Sequence, residues 1–166
     1  LMAMVGGVLV ALMISKNDPG FIHNGALAGL VAICAGSDKV HPLGALIIGG
    51  VAGVIFVKGF YWEQEKLKID DVLGVWPLHG ISGTWGGIAC GIFGQEALGG
   101  LGGVSVIGQI IGSVAAIVVA VVFGFAVYKM LDASFGLRLE PEEEIRGSDL
   151  SVHNLESNPE EASSRF

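Results

Sequence analysis

Apolar residues along this chain come in long blocks separated by short polar breaks. About 20 mostly apolar residues span the hydrocarbon of a bilayer as a helix, and most of the blocks have that scale. Residues 1–15, "LMAMVGGVLVALMIS", are the first block, and "KNDPG" at 16–20 breaks it with a turn. Residues 21–36, "FIHNGALAGLVAICAG", read as a second span, followed by the loop "SDKVHP" at 37–42. Residues 43–62 are a third span closing on "FYW", aromatic residues of the kind that settle at the membrane interface. "EQEKLKIDD" at 63–71 reads as a charged loop, 72–94 as a fourth span, "QEALGGLGG" at 95–103 as a glycine-rich link, and 104–131 as a long fifth span. Polar residues without apolar periodicity follow, so an extended or disordered tail is expected there. The pattern predicts an all-α polytopic membrane protein, with a helical bundle over 1–134 and a tail over 135–166.

The first block has no basic leader and no small-residue cleavage site, so it is not a signal peptide. It reads as the second half of a span whose first half lies upstream of Leu1. Composition agrees with a membrane setting: 52% of residues are hydrophobic and 15% charged, against about 25% charged in soluble domains. The net charge of -7 comes largely from the tail, where Glu140, Glu142, Glu143, Glu144, Asp149, Glu156, Glu160 and Glu161 crowd together. No basic stripe points to nucleic acid.

Lysine and arginine orient the spans. Lys16, Lys58, Lys66, Lys68, Lys129, Arg138, Arg146 and Arg165 fall on one side, and Lys39 alone on the other. The positive-inside bias makes the tail cytoplasmic in a plasma or inner membrane and turns the loops near 38 and 98 outward. Glycines recur four apart at 25/29, 49/53, 83/87, 87/91 and 108/112. Small residues at that spacing let helices approach closely in lipid, so a tight bundle and a narrow path are expected.

His79, inside "VWPLHGISGTWGG" at 75–87, is the sharpest chemical signal. Ionisable residues within a span commonly mark a pathway or relay. Regular helical spacing places Val75, Ser82, Gly83, Gly86 and Cys90 on its face, which turns the imidazole toward the bundle or a lumen. Neutral imidazole carries a donor on one nitrogen and an acceptor on the other, which suits a small solute that can do both. Pro77 opens or kinks this helix, and Asp70 and Asp71 before it are placed to cap its N-terminus. His23 and Asn24 either start the second span, Asn being a good N-cap, or line the path. His41 is expected in solvent, and His153 has no implied partner. Cys34 and Cys90 are expected as small packing residues. No catalytic constellation, cofactor loop or metal spacing is present, and Ser82 near His79 lacks a third group, so an enzyme is not expected.

"IDDVLGVWPLHGISGTWGGIACGIFG", "HNGALAGLVAICAG", "PLGALIIGGVAGV" and "GLRLEPEEEIRGSD" together resemble the ammonium transporter and Rhesus (Amt/Rh) family. The motif residues are Asp70, Asp71, His79, Gly80, Gly83 and Gly87. Gly74, where an acid stands in other members, resembles the Rhesus branch and its bacterial relatives. The resemblance implies a homotrimer whose protomers each carry a narrow hydrophobic pore, with eleven spans arranged as two inverted repeats and a final helix. This chain would supply the C-terminal half. His79 would be the second of two paired pore histidines, with Val75 and Leu27 lining the pore and Asn24 near its path. Asp70, Asp71, Gly80 and Gly83 would support it. The solute would be ammonia or ammonium; another small neutral solute such as carbon dioxide, or a non-conducting ammonium sensor or scaffold, is the alternative. The tail matches a segment that in some members meets a PII-type regulatory protein, although "NLESNPEEASSRF" departs from the common pattern.

Overall fold

The computed structural model describes residues 1–153, so Glu156, Glu160, Glu161 and Arg165 lie outside the described residues. The described elements are helical throughout. Three stretches, Pro19–Gly36, Pro42–Leu67 and Val106–Phe135, are long and apolar enough to cross a membrane.

Helix α1, Met2–Ile14, ends in a turn where Lys16 and Asn17 take left-handed backbone angles. Asp18 then caps α2, Pro19–Ile33: its Oδ1 accepts from the N–H of Gly20 at 2.9 Å and of Phe21 at 3.2 Å. Pro19, with no N–H to leave orphaned, fits the first helical position. The cap position is thus Asp18 and not Asn24, which sits within the helix. His41 caps α3, Pro42–Trp62, through Nδ1, which accepts from the Leu43 N–H at 3.2 Å, so it is more than a solvated loop residue.

The expected loop at 63–71 is helical in its first part. Glu63–Leu67 continue α3 as a π-helical turn, closed by Lys68 at a φ of 58°. Good helix formers fill this stretch and no glycine or proline intervenes before Gly74. The fourth apolar block is split into a π-helical turn, Trp76–Ile81, and α4, Ser82–Phe93. Helix α5, Val106–Phe135, has 30 residues, about 45 Å at 1.5 Å per residue.

The chain divides into two compact units, Leu1–Val118 and Val119–Phe166. In the first, α1 runs antiparallel to α2 and parallel to α3, while α4 runs antiparallel to α3. The markers are Ala3 against Gly29 and Gly49, Gly7 against Gly25 and Gly53, Gly59 against Pro77, and Gly44 against Phe93. The core is small-residue-rich: Ala11, Ala28, Ala32, Ala52 and Ala89 surround Ile48, Phe56, Val57 and Leu78. Backbones meet here because no side chain stands between them. The glycine pairs do not all serve this purpose. A methyl on Gly112 would meet nothing within 4 Å, and one on Gly108 would touch only Ser105, the residue just before its own helix.

In the second unit, the expected extended tail instead contains α6, Pro141–Arg146, and α7, Ser148–His153. Glu140 and Glu143 form a reciprocal capping box, and Arg138 reaches both carboxylate oxygens of Glu144 at 3.1 Å. Capping satisfies the orphan N–H groups of a short helix, which explains order in a segment with no apolar stripe. Of His153 the structure describes only the backbone, at the end of α7.

Candidate functional site

The segment leading to His79 is built from its cap upward. Asp71 Oδ2 accepts from the Trp76 N–H at 2.9 Å. Burial raises this carboxyl, but the backbone N–H groups of Trp76, Val75, Gly74 and Leu73 outweigh it and hold Asp71 below the usual carboxylate range. Asp70 is exposed and takes no part in this cap, so of the expected pair Asp71 alone does the work. Gly74, at a φ of 67°, lies against Phe56 and Phe60; a methyl there would sit 2.6 Å from Phe60 Cδ2. A side chain is excluded by both backbone conformation and space.

Pro77 supplies no N–H, and its carbonyl accepts from Ser82 Oγ at 2.9 Å in a fully buried position. Thus Ser82 is committed to the backbone and has no role as a nucleophile. The π-helical turn also carries one extra residue, which rotates everything beyond it by about 100° relative to a regular helix. The face expected around His79 is split as a result. Ser82, Gly86 and Cys90 turn into the bundle, while Val75, His79 and Gly80 stand exposed and Gly83 is half-buried.

His79 therefore sits at the surface of this chain's own bundle, not in its core. One turn before it Val75 is 50% exposed, and on α2, which packs on this turn, Leu27 is 39% exposed. Helix α2 packs directly on both the π-helical turn and α4, and Val31 Cγ1 lies 3.7 Å from where a methyl on Gly83 would stand. Asn24, half-buried, lines a cavity of about 340 Å³ with Asp18, Phe21, Phe56, Phe60 and Leu73. Phe21 packs edge-on to Phe60 at 5.2 Å between ring centroids. His23 is exposed on α2.

Two features escape sequence reasoning. Trp85 Nε1 donates to the Ile48 carbonyl at 3.1 Å and so ties α4 to α3. Glu63, the first residue after "FYW", is 2% exposed and meets Asp71. An acid abutting an apolar span was its only advance sign. Cys90 is buried as expected, whereas Cys34 is exposed and bonds the Leu30 carbonyl through Sγ. No group of residues able to hold a metal is found among the described residues.

Residues 1–158 match the model of the Ammonium Transporter Family. Ammonium transporter Amt2 of Methanocaldococcus jannaschii is 47% identical over 161 residues, covering 96% of this chain and 38% of that protein. Ammonium transporter Amt1 of the same organism is 41% identical over 151 residues, covering 91% of this chain and 39% of that protein. Among solved structures, a chain titled Sensor Amt Protein superposes with a TM-score of 0.75 at 29% identity, covering 91% of this chain and 40% of that one. This chain thus spans about two fifths of the length of the relatives it matches.

Proposed function

The chain belongs to the ammonium transporter family, and on that premise we propose that it forms the C-terminal half of a channel for ammonia, or for ammonium deprotonated at the entrance. The single observation that carries the reading is His79: an imidazole exposed on an apolar surface beside Val75, on a turn anchored by Asp71. Such a surface is a lumen wall once a second repeat faces it. Val75 and Leu27 present hydrocarbon, which excludes hydrated ions because their water is not replaced. An imidazole in its neutral form offers a donor and an acceptor to a solute that can use both, and a second histidine from the first repeat continues the file from His79. Asn24 and its cavity lie along this path, while Gly80 and Gly83 keep the wall thin.

The bundle over 1–134 carries the pore in a trimer of identical protomers, and the tail over 135–166 lies in the cytoplasm, where a PII-type regulator is the partner to test. Gly74 supports a reading nearer the Rhesus-like branch. A sensor reading also has support, since the solved neighbour is titled a sensor.

The test is His79→Ala in the complete protein, reconstituted in vesicles, with methylammonium and carbon dioxide flux measured separately. Loss of methylammonium flux supports the reading. Unchanged flux refutes it. Loss of carbon dioxide flux alone favours the other solute, and tight ammonium binding without flux favours the sensor.

A further inference from the structure

Among the described residues, Glu63 is the buried carboxylate to which the conduction reading assigns no role. It follows Trp62 at the end of α3, is 2% exposed, and its Oε2 has no hydrogen-bond partner among the described residues. A buried orphan oxygen is costly. No lysine neutralises it: the ion pairs among the described residues are Lys39–Asp38 and Arg138–Glu144. Lys58, Lys66 and Lys68 on its own segment, and Lys16 in the turn after α1, make no ion pair with it. The charged group that faces it is Asp71, the cap of the His79 turn. Gln64 Nε2 also grips this loop, donating to the Asp71 carbonyl at 3.0 Å.

We propose that Glu63 and Asp71 share a single proton, and that the pair makes Glu63 a positioning residue for His79. Two touching carboxylates cannot both ionise cheaply, and they titrate as a unit. Asp71 already receives backbone N–H donors, so it keeps the charge. A proton on Glu63 gives its buried carboxyl a donor role and gives Asp71 a further hydrogen bond. The orphan oxygen is then accounted for. Loss of that proton sets two charges side by side at the foot of the turn. Asp71 relieves the repulsion by moving away, which loosens the N–H groups of 73–76. His79 rides on the same turn, so its imidazole is displaced from the path.

The shared proton rests on the burial of Glu63, its orphan oxygen and the Asp71 loop that Gln64 holds beside it; its effect on His79 rests on the conduction reading. Two measurements on the complete protein separate them. Infrared difference spectra at neutral pH should show the carbonyl band of a protonated carboxylic acid, and Glu63→Gln should remove it. In vesicles, methylammonium flux of the parent should fall on the alkaline side by up to about tenfold per pH unit, the slope of one proton. Glu63→Gln keeps a donor that does not titrate, so it should conduct like the parent at lower pH and lack that alkaline limb. Glu63→Ala should conduct poorly at every pH. A band that is absent in the parent, or that persists in Glu63→Gln, overturns the shared proton. An alkaline limb retained in Glu63→Gln overturns the positioning role. If the complete protein conducts no ammonium at all, the conduction reading fails while the infrared band still decides the proton.

Discussion

Gly49→Ala adds one methyl at the closest crossing in the bundle. That methyl would lie 2.5 Å from the Ala3 carbonyl carbon and 2.6 Å from Ala3 Cα. Carbon atoms pack comfortably at about 3.5 Å or more, so α1 and α3 must part by about 1 Å. Helix α1 has no room to yield on its other side, because a methyl on Gly29 of α2 would lie 2.8 Å from the same Ala3 carbonyl carbon. The obstacle is backbone, so the cost falls at the upper end of the usual overpacking range, about 3 kcal/mol. Replacing glycine by alanine within a helix returns about 1 kcal/mol. The net loss is about 2 kcal/mol. Gly112→Ala makes the same chemical change where nothing lies within 4 Å, and should gain up to about 1 kcal/mol. Thermal unfolding of the two variants and the parent, as complete proteins in the same detergent, should therefore rank Gly112→Ala first and Gly49→Ala last. Equal midpoints, or a Gly49→Ala variant more stable than the parent, would refute the claim that backbone contact at Ala3 sets the helix spacing.

Asp71→Ala removes the cap of the His79 turn and should cost about 1 kcal/mol of stability, read from the unfolding midpoint near neutral pH. Because the Asp71 carboxyl is held below its unfolded value, the stability it lends is present above the unfolded pKa and is lost as pH falls through the lowered folded one. Asp71→Asn should flatten that acid limb in a pH series of unfolding midpoints. Ser82→Ala removes the side-chain donor to the buried Pro77 carbonyl but keeps the Ser82 backbone N–H that also reaches it, and should cost about 0.5–1.5 kcal/mol; methylammonium flux should fall with it, since the same turn carries His79. A Ser82→Ala protein as stable as the parent would show that the Ser82 backbone N–H alone satisfies the Pro77 carbonyl.

Much of the fold is legible in the chain. Hydrocarbon thickness makes a spanning block long and apolar, so block lengths locate α2, α3 and α5 to within a few residues. Asp71 is legible as a cap from its residue type and its place before an apolar run. His79 is legible because an ionisable group among "VWPL" and "GISG" has no ordinary reason to be there. Pro77 announces a disturbed helix, although not its form.

The remainder depends on geometry that accumulates through space. One extra residue in the turn at Trp76–Ile81 rotates Ser82 and Cys90 away from His79, and a regular 3.6-residue period cannot anticipate it. Spacing marks Gly49 and Gly112 alike, yet only Gly49 meets another backbone, because crossing points follow from how whole helices pack. Glu63 looks like the first residue of a solvated loop until α3 continues past it and the return of the chain brings Asp71 alongside. The sequence by itself determined the medium, the helical class and the residue with unusual chemistry, since transfer energies and local caps act over a few residues. The tertiary structure decided which faces are buried, which glycines are contacts and which acid meets which, since those depend on segments far apart in the chain.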